Sequence, residues 1–434
     1  MAVGERAAGE RHGLRYGLQR AFSSLRVRNY RLYWFGQLIS LTGTWMQTTA
    51  QAWLVLELKG SPLALGTVTF LQFLPITLLS LLGGVIADRV PKRNLLLCTQ
   101  SLLMAQAVVI ATLTSAGVIR IWHIYLLALW LGLCNAIDQP ARQAFPVELV
   151  GREEVANAVA LNTILFNTSR IVGPSLAGVT IALLGTAMCF WLNALSFIAV
   201  LAGLVLMRPE EFHAAPPRRQ ARTHVLLAEG LRYAWGTPAV MLVLLMMLFY
   251  GTFAYNFSTF LPLLAKFTLH LDATRYGILF PALSVGAVFM GLRLAYLNRS
   301  DVRTIFVSAA VFALALAALG LSRNFYLSLA ILACVGAASI AYSASTQSRL
   351  QAIVPDDLRG RVMSLYTLLF AGSTPIGSLI VGGVAQRWSV SASIVVAATL
   401  AAMGLVAALI YRRAHSEADM RRGIVDSLGT NAAD

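Results

Sequence analysis

The sequence predicts an all-α membrane protein of twelve transmembrane helices, built as two six-helix bundles. Three observations lead there. Of 434 residues, 58% are hydrophobic and only 12% charged, about half the charged share of a soluble domain. Apolar runs long enough for a bilayer, roughly 20 residues each, recur along the chain. The second half also repeats the first. With an offset of 204, Leu161, Thr163, Leu165, Phe166, Ser169, Gly173 and Gly178 fall on Leu365, Thr367, Leu369, Phe370, Ser373, Gly377 and Gly382. Gly132 and Gln143 fall on Gly336 and Gln347 in the same register. An even number of spans separates the copies, so the repeat is parallel.

The chain divides into a tail at 1–29, a bundle at 30–207, a linker at 208–237, a second bundle at 238–411 and a tail at 412–434. Spans are expected at 30–57, 64–87, 94–116, 121–147, 156–184, 186–207, 238–265, 274–296, 303–321, 325–350, 360–385 and 389–411. The first tail is arginine-rich and ends in an expected surface helix around 18–27. The linker opens with the polar stretch from Arg208 to Arg219. It continues with helical spacing and one apolar face from Val225 to Trp235, expected to lie on the inner membrane surface.

The net charge is +15. Its distribution reports topology and not nucleic-acid binding, because the bases sit in short loops and tails. With the amino terminus inside, 27 of the 34 Lys and Arg fall in inner segments, 6 fall outside, and Arg170 lies within a span. Both termini are therefore expected in the cytoplasm, in the inner (plasma) membrane. The four cysteines lie in apolar runs and read as buried free thiols. The six histidines are scattered, and no phosphate-cradling glycine loop ending in Lys-Ser or Lys-Thr occurs. The expectation is no enzyme, no metal, no cofactor and no ATP-driven step.

Between the second and third spans stands Gly83-Gly84-Val85-Ile86-Ala87-Asp88-Arg89-Val90-Pro91-Lys92-Arg93. Charges that cannot enter lipid stay in this turn. The pattern resembles the loop after the second helix in the major facilitator superfamily, with Pro91 where that family has glycine. The fifth span carries Ser169, Gly173, Pro174, Ala177 and Gly178. It resembles the exporter motif of the same superfamily, with Ser169 and Ala177 in place of two glycines. The first span, the stretch Asp138-Gln139-Pro140-Ala141-Arg142 and Glu229 to Tyr233 are similar to the branch that holds enterobactin exporters and macrolide efflux proteins.

The resemblance implies two six-helix halves that expose a central site alternately to each side. It implies a conformational latch of Gly84, Asp88, Arg89, Lys92 and Arg93, with Asp88 capping the eleventh span near Gly360 and Arg361. It implies an interdomain seal along Ser169, Gly173, Pro174, Ala177 and Gly178, where small residues permit close approach. The central spans carry Trp45, Gln47, Gln51, Asn135, Asn162, Tyr250, Tyr255, Asn256 and Tyr342, expected to line an apolar, aromatic cavity for a lipophilic or amphipathic substrate. Asp138 lies near mid-membrane, where a charge is costly, with Arg142 one turn on and Arg170 as a second expected partner. These three are the proton-coupling candidates. Expected partners are a small-molecule substrate, protons and the lipid bilayer, in a monomer. A non-transporting receptor or scaffold and an importer are the competing readings.

Overall fold

The structure, a computed structural model, describes residues 22–213, 223–297 and 302–415. The first half consists of α1 (Arg28–Leu58), α2 (Pro62–Arg89), α3 (Lys92–Ser115), α4 (Ile121–Val150), α5 (Val155–Leu184) and α6 (Thr186–Val205). The linker helix α7 (Thr223–Gly236) follows. The second half is α8 (Pro238–Phe249), α9 (Phe257–Leu263), α10 (Ala273–Leu297), α11 (Val302–Leu321), α12 (Phe325–Ile353), α13 (Asp356–Ala371), α14 (Thr374–Arg387) and α15 (Val390–Ala414). α8 with α9 makes one interrupted helical segment, and α13 with α14 another, so twelve long helical segments, with α7 aside, run through the described residues.

Local chemistry sets many of the boundaries. Ser61 Oγ accepts from the Ala64 N–H at 3.2 Å with Pro62 next to it, and Asn324 Oδ1 accepts from the Leu327 N–H at 3.1 Å. Both satisfy a donor that a helix start leaves unpaired. A single residue, Gly185 at φ 82°, turns the chain from α5 into α6, a conformation that only glycine adopts without strain.

Ten of the helices are long and apolar enough to cross a membrane by length and composition. α1 and α5, of 31 and 30 residues, are as long but more polar. Their polar faces are covered by protein instead of lipid, as residues such as Gln47, Gln51 and Ser169 show by their burial.

The seventh span is broken where Asn256 interrupts it. The Tyr255 N–H reaches back five residues to Tyr250 O at 3.2 Å, and the Asn256 side-chain amide donates to Thr252 O at 2.6 Å and Phe253 O at 3.2 Å. These bonds satisfy carbonyls that the break releases inside the membrane. The eleventh span breaks at Gly372 and Ser373, just before Pro375, which has no N–H to give. The two breaks face each other: a Cβ on Gly251 would meet Leu369 O at 2.5 Å.

The main apolar core joins the two halves, from Met46 to Val68 on one side and through α8 to α15 on the other. A second core, including Tyr30, Leu96, Phe145 and Leu204, belongs to the first half alone and lies nearer the loop ends at Arg89 and Val150. Two expectations are corrected here. Cys98 and Cys334 are exposed, because their helix faces point outward, while Cys134 and Cys189 are buried; all four are free. The expected surface helix at 18–27 is represented in the described residues by one short 3-10 turn, Ser23–Arg26, and 1–21 lie outside them. The polar linker stretch at 214–222 and most of the last tail, 416–434, also lie outside the described residues.

Candidate functional site

A cavity of about 270 Å³ runs between the helices of the first half, with Ser258 of the second half also in its lining. Trp45, Gln47, Gln51 and Asn135 line it, as does Arg142. The expected apolar, aromatic surface is there in Trp45, Phe73, Phe166 and Phe197 with Leu65 and Leu103, and amides and hydroxyls are set into it: Gln72, Gln100, Gln106, Gln139, Asn193, Thr44, Thr48 and Thr69. Several of these amides are tied to each other. Gln47 donates to Gln106 Oε1 at 2.9 Å and accepts from Asn193 at 2.7 Å. Gln106 in turn donates to the Leu127 carbonyl at 3.3 Å. Leaving one such buried amide unpaired costs about 1–3 kcal/mol, so the chain fixes the wall of the cavity.

The remaining cavity candidates sit elsewhere in this structure. Asn162 lies 3.5 Å from the Tyr30 hydroxyl. Tyr250 donates to Ala309 O at 2.8 Å and Tyr255 to Ser339 O at 2.7 Å. Tyr250 stacks against Tyr342 at 4.6 Å, and Phe312 and Phe370 close the group. Asn256 spends its amide on the helix break. Tyr250, Tyr255 and Tyr342 form a packed aromatic cluster in the second half, where the Tyr250 and Tyr255 hydroxyls bond to backbone carbonyls and the Tyr342 ring packs against Tyr250.

Asp138 is wholly buried. Its Oδ1 accepts from Thr99 Oγ1 at 2.7 Å and from Gln100 Nε2 at 2.8 Å. Arg142 Nε stands 3.1 Å from Oδ2, an ion-pair distance that is off the line of a hydrogen bond. α3 therefore supplies two donors and α4 the counter-charge. Sequence reading missed Thr99, Gln100, Gln106 and Asn193; the available signal was a set of amides and hydroxyls inside apolar spans. Arg170 is not the second partner of Asp138. Its Nε donates to Ser284 Oγ at 3.1 Å, across to α10 in the other half.

The small-residue stripe of α5 divides into two faces. Ser169 lies against Thr42 and Leu38 of α1, and a Cβ on Gly173 would meet Trp45 and the Thr42 carbonyl of α1 at 2.6–2.7 Å. Ala177 is fully buried and accepts from Cys189 of α6. Those three therefore pack within the first half. Pro174 and Gly178 meet the second: a Cβ on Gly178 would stand 3.0 Å from the Gly277 Cα and 2.7 Å from Ala273 O. A matching crossing joins Gly66 of α2 to Gly382 of α14. Ser61 and Gln386 bond at 2.9 Å beside it.

The same ends of the helices carry an aromatic clasp. Trp53 of α1 stacks on Tyr276 of α10 at 5.3 Å and 19°. Lys266 stands 4.7 Å from the centroid of the Trp53 ring, and the Trp53 indole donates to Glu57 at 2.7 Å.

At the opposite ends lies the charged turn. Lys92 pairs with Glu148 at the end of α4. Arg93 donates to Leu204 O and Val205 O at the end of α6, at 2.7 and 3.1 Å, where a helix leaves carbonyls unpaired. Asp88 and Arg89 are exposed at the end of α2, and around Gly84 there is space. The expected cap position is corrected, because α13 starts at Asp356, so Gly360 and Arg361 lie a full turn inside the helix. Arg361 pairs instead with Glu229 of α7 at 3.1 Å, and an added Cβ on Gly360 would meet nothing.

A protein family described as transmembrane secretion effectors matches residues 19–424. The chain belongs to this family, a branch of the major facilitator superfamily. Several named transporters share about a quarter of the residues aligned with it. It is 26% identical over 390 residues to the multidrug efflux pump Tap of Mycolicibacterium fortuitum, covering 87% of this chain and 94% of that one. It is 26% identical to the staphyloferrin A transporter of Staphylococcus aureus, over 78% of this chain and 85% of the other. The enterobactin exporter EntS of Citrobacter koseri is 28% identical over 75% of this chain and 77% of its own length. The fold resembles that of the nucleoside transporter NupG, with a TM-score of 0.71 at 12% identity, covering 88% and 98% of the two chains. The protein is thus a multi-pass membrane transporter and not an enzyme.

Proposed function

We propose that the protein is a secondary exporter of a small amphipathic molecule, drug- or siderophore-like, working by alternating access and driven by proton antiport. The carrying observation is the asymmetry of the interface. Glycine crossings at Gly178–Gly277 and Gly66–Gly382 close the halves at one end, while a cavity lined by aromatic rings, amides and Arg142, the partner of the buried Asp138, lies below them. With both termini in the cytoplasm, the closed end is the outer one, and this state accepts substrate from inside. The names of the relatives support the direction, since pumps and siderophore exporters recur among them.

In this reading Asp138 exchanges its proton as the cavity changes sides, with Arg142 compensating its charge. The turn at Asp88 latches the inner ends in the opposite state. The linker helix α7 lies at the inner surface with Leu231 and Trp235 toward lipid, both of which are exposed. The transporter acts as a monomer.

The test is made in cells lacking their own exporters. Expression should lower the cell-associated amount of a macrolide, a lipophilic dye or a siderophore and raise the amount in the medium. A rise in cell content would indicate an importer. No change across the panel would favour the scaffold reading.

A further inference from the structure

Arg170 is a cation near mid-membrane without a counter-ion. Its Nε donates to Ser284 Oγ, and among the described residues no carboxylate pairs with it. The one acid inside the membrane core of the first half, Asp138, is committed to Arg142, Thr99 and Gln100. Among the described residues from 238 to 415 the acids are Asp272, Asp356 and Asp357, at the starts of α10 and α13. No described acid of the second half therefore lies within a span to face Arg170. Of the five N–H donors of a guanidinium, four are left without a partner among the described residues. Such a charge is costly in a membrane interior and marks a pathway.

Its surroundings have a definite chemistry. One turn before Arg170 on α5 is Phe166, which lines the cavity. Phe166 meets the edge of Trp45 at 5.7 Å, and Trp45 meets Phe280 at 6.1 Å. Phe280 is one turn from Ser284 on α10. Three aromatic rings from both halves thus form a connected set that reaches within one helical turn of Arg170 on α5 and of Ser284 on α10.

Building on the export reading, we infer that Arg170 is the recognition point for an acidic group of the substrate, which the rings hold by its aromatic or apolar body. The substrate class is then an organic acid with a ring next to its carboxylate or other anionic group. A guanidinium binds such oxyanions in a planar fork. Ser284 holds the fork in place by its Nε and leaves the terminal nitrogens for the ligand. Because Arg170 bridges α5 and α10, an anion bound there also touches both halves.

The test uses full-length protein in lipid nanodiscs and equilibrium binding of 1-naphthoate and 1-naphthamide, which differ in charge and little in shape. No gradient is applied, so the result is independent of the direction of transport. Wild-type protein should bind naphthoate roughly tenfold or more tightly than naphthamide, the scale of a charge-assisted hydrogen bond. Arg170→Gln should remove that preference, bringing the two affinities together, while Arg170→Lys should keep part of it. Ser284→Asp supplies an internal counter-ion without deleting the arginine, and it should abolish naphthoate binding in a stably folded protein. Equal binding of the two probes, no binding of naphthoate, or a preference that survives Arg170→Gln or Ser284→Asp would overturn the inference. Loss of export in cells with the naphthoate preference intact would overturn the export reading alone.

Discussion

Gly66 and Gly382 cross so closely that a Cβ on either would stand 3.2–3.3 Å from the other's Cα. Their counterparts across the pseudo-twofold, Gly277 and Gly178, cross closer still, at 2.9–3.0 Å. Neither pair can take a side chain without separating the halves. Gly178→Leu and Gly382→Leu should each hold the outer ends apart and cut transport by about tenfold or more, since packing of small residues is what lets helices approach in lipid. Spin labels placed at Ser61 and Gln386, whose side chains bond in this state, should report a longer distance. Gly173→Leu should act differently, disturbing α1 and lowering stability, because its neighbours are Trp45 and Thr42.

The clasp of Trp53, Tyr276 and Lys266 adds to the same end. Trp53 loses both its stacking on Tyr276 and its cation–π contact with Lys266 when truncated. Together these are worth about 1–3 kcal/mol, or a shift of about 5- to 150-fold in the balance of states. Trp53→Ala should therefore leave the fold intact and raise the outward-open fraction, measured by the same pair of labels. An unchanged distance distribution would mean that the glycine crossings alone hold this end.

Much of this fold was legible in the sequence because the internal repeat is also a repeat of contacts. Gly132 and Gly336 each back onto a neighbouring helix's carbonyl, from Gln72 and Leu283. Gly173 and Gly377 each meet the first helix of their own half, and Gly178 and Gly382 each meet the other half. What the sequence could not convey was direction. Residues 169, 173 and 177 share one face of α5, whereas 174 and 178 lie about 100° around it, so one apparent stripe serves two neighbours. The tyrosines of the second half read as cavity residues because they are polar and central. Yet the break at Asn256 and the backbone carbonyls of Ala309 and Ser339 turn them into a packed cluster. The amides of α3 and α6 gave no periodic signal, and only folding assembled them with Gln47.

Asp138 and Arg142 separate a structural pair from a proton carrier. Arg142→Ala leaves a buried carboxylate with only Thr99 and Gln100, and it should cost about 3–5 kcal/mol, read as a lower melting temperature in detergent. Asp138→Asn keeps both donors close to an oxygen acceptor. It should preserve exchange of labelled substrate across the membrane and abolish accumulation against a gradient. Normal uphill transport by well-expressed Asp138→Asn protein would remove the residue from coupling.

Asp88→Ala tests the inner latch. An exposed charge contact made by this turn is worth about 0.2–1 kcal/mol, enough to shift the balance of states up to several-fold without unfolding the protein. Membrane levels should be normal and the transport rate reduced. Full activity would make Asp88 an ordinary turn residue.

The central claim is export coupled to protons, and inside-out membrane vesicles test it directly. With an acidic lumen, they should accumulate a substrate from a panel of siderophores, macrolides and dyes. The accumulation should collapse on adding a protonophore and be absent with Asp138→Asn. Accumulation that is indifferent to the protonophore, or uptake seen only in right-side-out vesicles, would contradict the account.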